Sequence, residues 1–168
     1  MFRILLVCAL VGAGSALSCR WMERKYQEYR DSSLAQLNAM ANNTISINST
    51  EDYEDAVTFP NELYNQASKA EERLRFVVQL LEEIFALFDG EDQTFVSWQE
   101  MAVDDFLNVI TQQADGLRSC VSGPWQLIVL GKHFDKTTGH SAEAWEWIRK
   151  EVKLHLLRSD MLVPRKTN

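Results

Sequence analysis

The chain reads as an all-α protein: a four-helix bundle with its helices arranged up-up-down-down. Four segments space their apolar residues at the helical period, and the links between them are long, short and long in that order. Helices of about 20 residues are roughly 30 Å long. The links from Ala41 to Pro60 and from Val121 to His140 each hold about 20 residues, enough to span about 60 Å when extended. Each long link can therefore return along the whole bundle and join parallel helices, whereas the short connector between the second and third helices makes that pair antiparallel neighbours. Length alone also allows a slack link.

Before the first helix comes Arg3, the apolar run Ile4 to Val11, and small residues with Ala16 and Ser18 placed three and one positions before Cys19. A charged start, a short hydrophobic run and a small-x-small site describe a signal peptide over residues 1–18. The run is too short to span a bilayer, and no other stretch approaches about 18 uninterrupted apolar residues. The expected product is a secreted, extracellular chain of residues 19–168, with no membrane insertion and long enough for one domain with a real core.

The first helix is predicted from about Arg20 to Ala41, with Trp21, Met22, Tyr26, Tyr29, Leu34, Leu37 and Met40 near one face. The second follows Phe59-Pro60, because proline suits a first helical turn. It carries Leu63, Ala67, Ala70, Leu74, Val77, Val78, Leu81, Ile84, Phe85 and Phe88 before the stop signal Asp89-Gly90. Ser97 and Glu100 are spaced as a capping box for the third, whose stripe is Trp98, Met101, Phe106, Val109, Ile110, Ala114 and Leu117. The fourth is expected to start at Ser141 as N-cap, with Glu143 and Glu146 in its first turns, where acids favour the helix dipole. Trp145, Ile148, Val152 and Leu156 form its inward stripe.

If cleavage falls after Ser18, Cys8 leaves with the signal peptide, and Cys19 and Cys120 remain in an oxidising compartment. They either form a disulfide or are two reduced, buried thiols. A bridge closing so long a loop contributes on the order of 4 to 5 kcal/mol from chain entropy. Asn42 and Asn48 each open a sequon in a polar stretch, as expected of a glycosylated surface loop. Loss of Arg3 takes the formal charge from −7 to −8, and an acidic chain without a basic stripe argues against nucleic acid as a partner.

Catalytic chemistry finds no support. His133, His140 and His155 do not make the His-Glu-x-x-His or Glu-x-x-His pairs that hold metals in bundles. His155 follows Glu151 by four residues and reads as its surface pair. There is no G-x-S-x-G, P-loop or dinucleotide fingerprint. Glu71-Glu72 and Glu82-Glu83 read as solvated faces. An enzyme is not expected, nor is any cofactor.

Five stretches resemble the type I interferons, and in particular the two-cysteine, d-like interferons of bony fish. These are "CRWM" at the mature start, "FPNELY", "FALFDGEDQTFVSW", "DDFLNVITQQADGLRSCV" and "GHSAEAWEWIRKEVKLHLLRSD". The last is the most specific, since A-W-E-x-I/V-R-x-E near the C-terminus is the family's signature. The resemblance implies a type I interferon-like helical cytokine domain over residues 19–168 and a bridge between Cys19 and Cys120. A second bridge would need a cysteine just before the final Ala-Trp-Glu, where Glu143 stands. The family's further helix before the C-terminal one is here shortened or missing, and "WQLIVL" stands before it in place of the expected basic loop.

The resemblance also implies function: binding a heterodimeric class II cytokine receptor and inducing antiviral genes. Independently of it, the inward stripe of the fourth helix leaves Trp147, Lys150, Lys153, Leu154 and Leu157 on the far side. Two basic stems beside Trp and Leu mark a partner surface, unless the preceding link or a neighbouring molecule covers them. The family's receptor-contacting residues carry over onto Arg149, Lys150, Lys153 and Leu154. Arg149 lies nearer the core stripe and could equally be a structural ion-pair partner. A relative of the interleukin-10 group and a secreted helical carrier of a hydrophobic ligand are the other readings, the carrier requiring an internal cavity.

Overall fold

The computed structural model describes residues 24–40, Tyr64, 69–89, 98–121 and 142–163. Four helices lie among them: α1 over residues 24–40, α2 over Ala70–Phe88, α3 over Glu100–Arg118 and α4 over Ala142–Ser159. No strand occurs among the described residues. Residues 1–18, Cys19, Asn42, Asn48, Ser141 and the link with its apolar run lie outside them.

Side-chain contacts fix the directions of the helices. Tyr26, early in α1, meets Ser159 at the end of α4, and Leu37, late in α1, meets Arg149 early in α4. These two helices are antiparallel. Phe88 at the end of α2 stands edge-on to Trp145 near the start of α4, at 6.1 Å, so α2 opposes α4 as well. Phe88 also stacks on Trp98, just before α3, at 5.6 Å, while Glu82 pairs with Arg118 at the end of α3, so α2 and α3 are antiparallel. It follows that α1 and α2 run one way and α3 and α4 the other, the up-up-down-down arrangement expected from the link lengths.

One core joins the four helices. The stripe Trp145, Ile148, Val152 and Leu156 of α4 is buried in full. It packs with Tyr26, Leu37 and Met40 of α1, Val77, Val78, Leu81, Ile84 and Phe88 of α2, and Phe106, Ile110, Ala114 and Leu117 of α3. Phe88, Trp98, Phe106 and Trp145 make an aromatic cluster at one end, with Phe88 and Trp98 stacked and the other pairs tilted or edge-on, geometries that suit aromatic quadrupoles. Among the described residues, the largest side chains of this core are fully buried. The depression of about 240 Å³ between Leu81, Phe85, Ile110 and Ala114 opens on the outer surface of α2 and α3 rather than inside the core.

Several expectations are corrected. The second helix is not one unbroken run: α2 begins at Ala70 with Lys69 extended at its N-cap, Tyr64 before that break is itself helical, and Phe59-Pro60 lies outside the described residues. At that N-cap the Glu72 carboxylate accepts from the Lys69 backbone N–H at 3.1 Å, satisfying one of the donors that a helix start leaves open. Ala70 is exposed. For α3 the N-cap is Gln99, which puts Glu100 at the first helical position, too early to close a capping box from Ser97. Met101 is 76% exposed, because on a helix starting there Ala102 and Phe106 face inward instead. Tyr29, Leu34, Leu74, Phe85 and Val109 are half-buried at the edges of their stripes. Phe76, Leu80, Ala102 and Ala144 are buried core residues outside the predicted stripes.

Candidate functional site

The outer side of α4 carries the predicted patch. Lys150 is exposed, and Leu154 and Leu157 are 46% and 43% exposed. Met161, in the turn that follows α4, extends the apolar surface beyond them. Positions 150, 154, 157 and 161 alternate spacings of four, three and four, which keeps them on one side of the helix. Lys153 sits at the border with α1, where its ammonium donates to the Asn38 side-chain oxygen at 3.1 Å. Trp147 is half-buried. Exposed leucines beside ammonium groups, on a chain that is acidic overall, form an amphipathic surface suited to an acidic and apolar partner.

Arg149 belongs to the scaffold of this surface. Its guanidinium pairs with Glu146 through Nε and Nη2, both at 3.0 Å to Oε2, and the two side chains are only 11% and 12% exposed. Nη1 donates to the carbonyl oxygen of Leu37 at 2.9 Å. The other carboxylate oxygen of Glu146 accepts from the indole N–H of Trp98 at 2.7 Å. Of the four residues carried over, Lys150, Lys153 and Leu154 therefore face outward, whereas Arg149 binds α4 to α1.

At the opposite end, the turn after α4 meets the start of α1. The Ser159 hydroxyl donates to the Leu156 carbonyl at 2.9 Å, so the Tyr26 hydroxyl, at 2.8 Å, is the donor to Ser159. Burial pushes the Tyr26 phenol well above its ordinary range, against the smaller opposing effect of Ser159. Arg30 bonds both Asp31 and the buried Asp160. The Asp31 hydrogen bond is the largest cause that holds its guanidinium above the ordinary value.

His155 corrects the sequence reading most clearly. It is 4% exposed, its ring stacks on Tyr64 at 6.1 Å, and its Nδ1 lies 2.8 Å from the Tyr64 hydroxyl. It is not a surface partner of Glu151. The turn spacing that joins residues four apart does apply to the two positions, but on α4 position 155 falls beside the inward Val152 and Leu156. Burial raises the Glu151 carboxyl above its ordinary value, and Arg158 opposes the shift.

Cys120 is half-buried in the turn that closes α3, where its N–H donates to the Leu117 carbonyl at 3.0 Å. Among the described residues no cluster of His, Cys, Asp or Glu could hold a metal ion. No described helix is long and apolar enough to cross a membrane. The outward face of α4 offers a binding surface.

Comparison with known proteins agrees with this geometry. The interferon alpha/beta domain matches residues 22–126. Interferon a3 of Oncorhynchus mykiss is 33% identical over 154 residues, covering 86% of this chain and 84% of that protein. The solved structure of zebrafish interferon 1 superposes with a TM-score of 0.68 at 29% identity, over 84% of this chain and 96% of that one.

Proposed function

The chain belongs to the interferon alpha/beta family, and from that membership we propose that it is a type I interferon of the two-cysteine, d-like group of bony fish. Interferons are cytokines, which act by binding rather than by turning over a substrate. The chain is secreted after loss of residues 1–18, carries a bridge between Cys19 and Cys120, and is glycosylated at Asn42 and Asn48. It brings together the two chains of a class II cytokine receptor and thereby induces antiviral genes.

The outward face of α4 beside α1 is the receptor-binding surface in this reading, with Lys150, Lys153 and Leu154 as contacts. The observation that carries it is the exposure of Leu154 and Leu157 next to Lys150 on a helix whose other side is fully used by the core. A folded chain exposes such an apolar stripe at a cost in solubility, which a partner surface explains. The test is to add the purified secreted protein to cultured fish fibroblasts and measure antiviral-gene transcripts. Induction at low concentration is expected. Silence at high concentration contradicts the functional reading and leaves the family assignment intact.

A further inference from the structure

Trp98, Glu146, Arg149 and Leu37 form one continuous run of hydrogen bonds through three parts of the bundle. The Trp98 indole N–H, just before α3, donates to one Glu146 oxygen at 2.7 Å. The other oxygen holds Arg149 at 3.0 Å, and Arg149 reaches the Leu37 carbonyl of α1 at 2.9 Å. One residue beyond Leu37, Asn38 meets Lys153 of the outward patch. Trp98 itself is half-buried. It lies between Phe88, on which it stacks at 5.6 Å, and Trp145, to which it stands edge-on at 5.8 Å.

A glutamate with both oxygens engaged has a fixed carboxylate plane, and that plane sets the direction of the guanidinium fork. Without the indole donor, Glu146 can rotate, and Arg149 no longer has a single orientation from which to reach α1. A side chain that orients the Arg149 link between α1 and α4 therefore stands on neither of them. We propose that Trp98 is a positioning residue for the α1–α4 surface, acting through Glu146 and Arg149 and making no contact with the partner. This rests on the reading of that surface as the receptor-binding one. A bound partner that touches both helices gains most when their spacing is set beforehand.

The test uses the full secreted chain and five variants, namely Trp98→Phe, Arg149→Gln, the two combined, Glu146→Gln and Lys150→Glu, compared by circular dichroism, by amide hydrogen exchange and by the concentration giving half-maximal antiviral-gene induction in fish fibroblasts. Trp98→Phe keeps an aromatic ring and removes the donor. It is expected to stay helical, to speed exchange within residues 34–40, and to raise the half-maximal concentration about three- to tenfold, a part of the roughly tenfold or more that one hydrogen bond to a charged group is worth, because the partner loses only the preset spacing. Combined with Arg149→Gln it should add little, because both break the same run. Should Trp98→Phe fail to fold, Glu146→Gln decides: it keeps an acceptor for the indole and loses the charge that orients Arg149, and the same changes are expected. Lys150→Glu, outside the run, must lower potency without changing exchange in α1. If it does so while Trp98→Phe, or Glu146→Gln in its place, leaves exchange and potency unchanged, or if the double variant is fully additive, the positioning role is wrong. If Lys150→Glu also has no effect on potency, the surface itself is wrong.

Discussion

Tyr26 and Ser159, 133 residues apart in sequence, share a buried 2.8 Å hydrogen bond that joins the start of α1 to the end of α4. The Ser159 proton is committed to Leu156, so the tyrosine is the donor. Tyr26→Phe keeps the ring in the core and deletes that donor, leaving Ser159 with one partner. The expected cost is about 1 kcal/mol, the usual net value of a single neutral hydrogen bond, measured by denaturant unfolding. An unchanged stability would show that water replaces the bond.

Gln113 lies wholly inside the bundle, on the stripe of Phe106, Ile110 and Leu117, and neither its side-chain oxygen nor its nitrogen has a hydrogen-bond partner among the described residues. Burying an unpaired amide costs about 1 to 3 kcal/mol. Gln113→Met nearly conserves shape and removes the polar atoms, so it should raise the unfolding free energy by an amount of that order. Loss of stability on this change would mean that the amide is paired in solution.

Glu151 gives the pH dependence. Burial raises its folded-state pKa above the ordinary 4.5, so folding is penalised wherever the carboxyl is ionised in the unfolded chain but resisted in the folded one. Below about pH 4.5 both states are protonated and the penalty vanishes; it grows as pH rises and is complete above the raised folded value. Glu151→Gln should therefore be more stable than the parent at neutral pH and equal to it near pH 4. Thermal unfolding of both proteins across that range checks the sign. A gap that widens on acidification would contradict it.

Much of the fold can be read in the sequence because the inward stripe of α4 is well marked: Trp145, Ile148, Val152 and Leu156 follow the helical period, with mostly charged residues between them. The period says less in the middle of α2, where the chain is buried continuously from Phe76 to Leu81; six consecutive buried residues mark no single face, and Phe76 and Leu80 drop out of the stripe. His155 misleads for a different reason, since its partner Tyr64 is 91 residues away and no local pattern records it. The ion pair of Arg149 is open to the sequence, since Glu146 stands three residues before it, but its reach to a backbone carbonyl in α1 leaves no residue signature. By contrast, Lys150 and Leu154 are legible, because they lie opposite a well-marked core stripe.

Cys120 closes α3 in a half-buried turn, and the proposed bridge to Cys19 would tie the mature N-terminus to that turn. Peptide mapping without reduction should recover the two cysteines joined and no peptide containing Cys8. Cys120→Ser should then cost a few kcal/mol, as is usual for a lost native disulfide. Unchanged thermal stability would show that the pair is not bridged.

The most direct test of the receptor surface compares Lys150→Glu with Leu154→Ala, both on exposed sites where stability effects are usually within about 0.5 kcal/mol, using Trp145→Ala as the contrasting control. Trp145 is buried, and emptying its position should cost about 3 to 5 kcal/mol, lowering signalling only by depleting folded protein. The quantity to measure is the affinity of each folded variant for receptor-bearing fish fibroblasts. The outward face of α4 as receptor contact predicts that Lys150→Glu and Leu154→Ala weaken binding by more than their stability changes account for. Both variants binding as tightly as the parent while fully folded would contradict it.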